Sequence, residues 1–283
     1  MRNIFTIITL IFAFTINAQN FTGKAIYKTS KKNNFKLNDK QNSAMTDAMK
    51  EQITARLTKL NQKTYILDFN KNTSSYKEEV ALKTPKSNVS STGVRVVSLF
   101  SGAGGTTDVY FKNLKENRFV NQTEISGKRF LVQDILNDFK WELSSETKNI
   151  GEYTCYKATF SKDVEKISMN IVNGTSKKTT QKDSIVTTAW YTPQIPISNG
   201  PKDYQGLPGL ILEINDGTTV MVCTEIILDK SKNAVINEPK KGKKVSLKEY
   251  RKIKKKKSDE MLERFKSKKG VDLGNGINVK IGG

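Results

Sequence analysis

The sequence predicts a mainly β fold, an antiparallel sheet with two helical accessories, and three observations carry the prediction. From Tyr65 onward, short runs of alternating apolar residues follow one another at close spacing. Gly, Asn and Asp turns join them where βαβ units would need helices. No segment repeats at a fixed period.

In chain order, Met1-Arg2-Asn3, the apolar run Ile4 to Ile16 and Asn17-Ala18-Gln19 read as a secretory signal with cleavage expected after Ala18. The apolar run is too short to cross a bilayer of about 30 Å as a helix. Gly23 to Ser30 is a short strand. Met45, Met49, Ile53, Leu57 and Leu60 then recur at helical spacing, which predicts an amphipathic helix over 43–60. Strands follow at Tyr65 to Phe69 and Ser74 to Ala81 around the Asn70–Thr73 turn. Residues 83–107, rich in Ser, Thr and Gly, read as a long loop with Val94 to Phe100 as a candidate strand inside it. A meander comes next, with strands Val109 to Leu114, Arg118 to Ile125, Lys128 to Leu136, Lys140 to Leu143 and Tyr153 to Phe160. Ser161 to Lys182 is polar and gives no clear pattern. Ile185 to Tyr191 is a strand, and Leu210 to Asn215 pairs with Val220 to Leu228 across Asp216-Gly217. Residues 230–283 form a basic helical appendage and tail. Ser246-Leu247-Lys248-Glu249 is a capping box there, and Ile277 to Ile281 is a short terminal strand.

Composition narrows the chemistry. The chain has no His, which excludes Ser-His-Asp triads, Cys-His pairs, HExxH zinc sites and a histidine general base. Neither a cofactor nor a metal is expected. Gly102 to Gly105 lacks the Lys-Ser or Lys-Thr of a phosphate loop. Asp134, Asp138, Glu142 and Glu146 recur every four residues, but strand and turn context makes them solvated carboxylates. Cys155 and Cys223 are the only thiols. An exported chain allows them one bridge, and the alternative is two separate buried thiols.

Four of the six prolines lie between Pro193 and Pro208. Proline fixes φ and extends its predecessor, while Gly200, Gly206 and Gly209 permit dihedrals closed to other residues. A rigid loop set by Gly200, Pro201, Gly206 and Gly209 is therefore expected between the Trp190 strand and the strand starting at Leu210. Trp141, Trp190, Tyr191, Ile195, Pro196, Leu207 and Pro208 are the candidate lining of a binding site at its rim. The alternative is that both tryptophans fill the core and the prolines shape a corner.

Here the sequence resembles a known family. Gly206-Leu207-Pro208-Gly209-Leu210-Ile211 is the hexapeptide that names the GLPGLI family of exported Bacteroidota proteins. Ala189 to Pro193, Ile195-Pro196, Gly200-Pro201, Phe130 to Asp134, Lys140 to Leu143 and Lys148 to Ala158 fit it as well. The resemblance implies an envelope protein of unknown function and supplies no catalytic residue. The Trp-bearing strand followed by a Pro-rich turn is also similar to the lipoprotein-carrier fold, which by analogy implies a curved sheet or half-barrel.

Net charge is +20, and 12 of those excess charges lie between Lys230 and Gly270. Leu247, Tyr250, Ile253, Leu262 and Phe265 could form a discontinuous apolar stripe there, with Lys254, Lys255, Lys256 and Lys257 in its middle. Such a helix suits an anionic membrane surface or an envelope protein; nucleic acid is not expected, because the signal directs the chain out of the cytoplasm. The leading expectation is a soluble, exported, periplasmic or envelope-associated protein that is not an enzyme and binds or carries an apolar or peptide-like ligand, a lipid or a peptide. The alternative is an interaction module docking on an outer-membrane or envelope assembly.

Overall fold

The computed structural model describes residues 22–31, 62–79, 108–172, 175–229, 235–267 and 278–281. The signal segment, the 43–60 helix and the 83–107 loop expected from the sequence lie outside them. The described chain is mainly β: one large, open, curved sheet with one helix near its C-terminal end.

The strands are β1 Thr22–Lys31, β2 Gln62–Asn70, β3 Thr73–Glu78, β4 Val109–Asn113, β5 Arg118–Ile125, β6 Lys128–Ile135, β7 Glu142–Ile150, β8 Tyr153–Val172, β9 Thr175–Thr192, β10 Leu210–Asn215, β11 Thr219–Asp229, β12 Lys243–Ser246 and β13 Asn278–Ile281; the helix α1 is Leu247–Ser267. Their order in the sheet is β12-β6-β5-β4-β3-β2-β1-β11-β10-β9-β8-β13, with β7 also on β8. Every pairing is antiparallel except β12 on β6.

Local chemistry explains the turns. Asn70 Oδ1 accepts from the Asn72 and Thr73 amides, which closes the β2–β3 hairpin. Asp216 Oδ1 does the same for Thr218 and Thr219 between β10 and β11. The described residues of Ser161 to Lys182, which show no pattern in the sequence, are strand: β8 and β9 pair continuously from Tyr156↔Tyr191 to Val172↔Thr175. β7 reaches only to Thr159 and β10 only to Thr188, so neither strand flanks this part of the hairpin.

The curvature shows in what the loop after β9 can touch. In the sheet β10 and β4 are separated by four strands, roughly 24 Å if flat. Yet Lys112 of β4 and Ser74 of β3 both bond to that loop. Register shifts at Ile26/Tyr27 and Ile211/Glu213 mark irregularities where strands bend.

Apolar residues collect in two clusters around the loop. One holds Ala25, Tyr27, Leu67, Phe69, Tyr76, Cys155, Leu210, Leu212 and Cys223 with loop residues Ile195 and Ile197. The other holds Ala158, Ala189, Tyr191, Ile211, Ile214 and Met221 with loop residues Tyr204 and Leu207. A third lies under α1, where Leu247, Tyr250 and Ile253 pack on Phe119, Ile125, Phe130, Val132 and Val245. Ser246 Oγ accepts from the Glu249 amide and Glu249 Oε2 accepts from the Ser246 amide, so the expected capping box is formed. Among the described residues no helix is long and apolar enough to cross a membrane, which says nothing of strands.

Candidate binding surface around the proline–glycine loop

Residues 193–209 fold back on themselves. The Ile197 amide donates to Ile195 O and the Asn199 amide to Ile197 O, both at 2.8 Å, a pair of three-residue turns suited to a proline-rich path. The Leu210 amide then returns to Ile195 O at 3.0 Å and the Ile211 amide to Asn199 O at 2.9 Å. A Cβ at Gly209 would overlap the Thr192 carbonyl, so only glycine fits this crossing.

The loop is anchored from the opposite half of the sheet by a residue the sequence reading does not single out. Lys112 is fully buried, and its Nζ donates to Gly200 O at 2.8 Å and Tyr204 O at 2.9 Å. Burial brings its pKa down to about 7, against a weak opposing pull from Asp203. Tyr27 adds a second anchor, its hydroxyl donating to Ile211 O at 2.7 Å.

The seven candidate lining residues separate into three settings. Ile195 and Leu207, each 1% exposed, and Tyr191, at 6%, fill the core rather than a rim. Pro196 and Pro208 are exposed. The tryptophans part company: Trp190 packs on the Ile195 cluster, while Trp141 packs on the cluster of Tyr191 and Leu207. Alternation along β9 explains this, since Ala189 and Tyr191 share one face and Trp190 takes the other. Lys148 Nζ stands 4.4 Å from the Trp190 ring centroid and pairs with Glu213 at 2.7 Å.

Around Trp141 the structure assembles an aromatic shelf. Its indole N–H donates to Gln205 O at 2.9 Å, fixing it beside Gly206. Phe160 meets it edge-on at 4.8 Å between centroids, and Phe139 lies 5.0 Å from Phe160 and 5.5 Å from Tyr204. Leu143 pairs with Ala158, and Tyr156 precedes Ala158 by two, so both extend the same face. Leu143 is 60% and Tyr156 38% exposed, while Phe139, Trp141 and Phe160 are half-buried. The shelf can therefore hold an apolar or aromatic group against it.

Residues 141–213 match the profile of a family described as a protein of unknown function (Porph_ging). The matched segment contains the loop, both tryptophans and most of the shelf. No curated protein sequence matches the chain. Two solved structures of PNGF-II, in C2 and P21 space groups, are similar at 14% and 15% identity with TM-scores of 0.46 and 0.47. The alignments cover 84% and 83% of this chain and 33% of each neighbour, so the chain spans about a third of their length.

Other candidates fall outside the shelf. Cys155 and Cys223 are free thiols in one buried cluster, in place of the bridge considered from the sequence. Each donates to a nearby carbonyl, Tyr153 O and Glu225 O, and burial pushes the thiols up to about 11 and about 12. Among the described residues no three His, Cys, Asp or Glu side chains are grouped to hold a metal. Asp138 pairs with Lys140 and Glu146 with Lys157 on the surface. Lys254 to Lys257 are all exposed on α1, with Lys257 paired to Glu260 at 2.6 Å.

Phe139 and Phe160 are missed by the sequence reading because isolated phenylalanines near strand ends look like core. Lys112 is missed because a lysine in a short strand looks solvated. A signal for the shelf exists in the Phe139-x-Trp141-x-Leu143 alternation, which places three large apolar groups on one side.

Proposed function

We propose that the chain is a non-enzymatic binding protein that takes an apolar or peptide-like ligand on the Trp141 shelf. The half-exposed aromatic group set against a rigid loop carries this reading: Phe139, Trp141, Tyr156 and Phe160 leave ring surface exposed, and Leu143 extends the apolar face. The loop serves as the foundation of the surface, and its Gln205 carbonyl holds Trp141 in place at little entropic cost on binding. The N-terminal signal pattern supports an exported, periplasmic or envelope-associated protein, and the Gly206–Ile211 hexapeptide supports membership of the GLPGLI family.

Trp141 and Trp190 are the only tryptophans, so Trp190→Phe leaves Trp141 as the sole indole reporter. Titration of that variant with lipids and extended peptides is expected to shift its emission, and Tyr156→Ala should weaken the response about tenfold, the loss of roughly one aromatic contact. Native mass spectrometry of the gently purified protein should show a bound ligand. An unliganded mass together with no response to any lipid or peptide would discard the reading.

A further inference from the structure

The charged C-terminal segment acquires a definite geometry in the fold. Every Lys and Arg in 239–258, eleven in all, is exposed. The one acid in that stretch, Glu249, is engaged with Ser246 in the helix cap. Leu247, Tyr250 and Ile253 of α1 are turned to the sheet, and the Tyr250 hydroxyl lies 3.4 Å from Thr123 Oγ1. At 100° per residue, Lys248, Arg251, Lys252 and Lys255 occupy the opposite side as one stripe. The basic region continues past the helix: Lys31, at the exposed end of β1, has its pKa lowered by partial desolvation and by Lys202, Lys63 and Lys254, against an opposing pull from Asp216.

Three features define what such a face fits. The apolar side of the described helix start is spent on the protein, so this part of α1 cannot insert its apolar residues into a bilayer. Ten of the eleven cations are Lys, point charges suited to a diffuse anionic surface more than to bidentate recognition of single phosphates. The stripe carries no exposed aromatic residue on which a base could stack. We propose that the β12–α1 face docks the protein on an anionic lipid bilayer by electrostatic attraction, without insertion of the face. The β12–α1 face shares no residue with the Trp141 shelf, and the inference stands whether or not that shelf binds a ligand.

The test is co-sedimentation of the full chain with vesicles of phosphatidylcholine alone or mixed with phosphatidylglycerol. Binding is expected to be stronger to the mixed vesicles, and that excess is expected to vanish at high salt. Replacing Lys248, Arg251, Lys252 and Lys255 by Gln keeps good helix formers and should lower binding at least about tenfold. Replacing the three lysines of the stripe by Arg should preserve it. The apolar N-terminal run is shared by all variants and would act on neutral vesicles as well. The salt titration needs no substitution and so tests the idea even if the glutamine variant fails to fold. Undiminished binding by a folded glutamine variant, salt-insensitive binding, equal binding to neutral vesicles, or tighter binding to duplex DNA than to the mixed vesicles would each overturn the proposal.

Discussion

Lys112 brings an ammonium into the interior where its hydrogen-bond acceptors are two carbonyls. A lysine ordinarily loses its proton near 10.5, and this one does so near 7. Between those values the unfolded chain binds more protons than the folded one, so this group makes stability rise with pH across that window. Buried tyrosines act oppositely above their ordinary value: Tyr65 is raised to about 12, so the folded chain there holds the extra proton. The denaturation midpoint is therefore expected to climb between about pH 7 and 9, and Lys112→Met should flatten the climb. An unchanged slope in the variant would remove Lys112 as its source. Gly209→Ala meets the Thr192 carbonyl and should cost about 2–3 kcal/mol by denaturant unfolding, against about 1 kcal/mol for Gly127→Ala, where strained φ is the only obstacle. The thiols of Cys155 and Cys223, both buried and raised in pKa, should resist iodoacetamide in the native protein and take two labels after unfolding. No label after unfolding without reductant would mean that they are bridged.

At the scale of the element, β12 and α1 are part of the sheet's covering. Val245 is buried against β6, and Leu247, Tyr250 and Ile253 close the cluster of Phe130 and Val132. Ending the chain at Asp229 is expected to uncover that cluster and lower stability by several kcal/mol, at about 1.5–3 kcal/mol for each fully buried side chain lost. An unaltered thermal midpoint with no gain in binding of an apolar dye would show the segment to be dispensable to the core. The β8–β9 hairpin makes the contrasting case. Beyond Phe160↔Thr187 it keeps β13 alone beside it among the described residues, and two- or three-stranded ribbons are marginal. Amide exchange is expected to be faster beyond that pair than in the part flanked by β7 and β10.

For the molecule as a whole, the first described strand is held by one late in the sequence: β1 pairs with β11 along its full length, from Thr22↔Asp229 to Lys31↔Thr219. Pairings so distant in sequence predict slow folding, on the order of milliseconds to seconds, which stopped-flow fluorescence of Trp141 and Trp190 can follow. The strand meander was legible because antiparallel neighbours leave period-two alternation and turn residues behind, as at Arg118–Ile125 and Lys128–Ile135. The distal β8–β9 ribbon was not, since its residues are mostly polar and neither β7 nor β10 flanks it beyond Thr159 and Thr188. The parallel docking of β12 on β6 was equally silent: four residues, three of them exposed or half-exposed, carry no periodic signal.

What the sequence determined by itself is local: most strands of the meander, where Asn70 and Asp216 turn the chain, that Ser246 and Glu249 cap a helix, and that 193–209 is a rigid loop. Only the tertiary structure decided what that loop does. Which residues line a surface depends on strands distant in sequence being brought side by side. The sheet's curvature puts Lys112 under Gly200 and Tyr204, sinks Ile195 and Leu207 into the core, and places Trp190 and Trp141 in different clusters. The candidate site thereby moved from the loop's rim to the aromatic shelf beside it, and the basic segment became a helix with its apolar side already occupied.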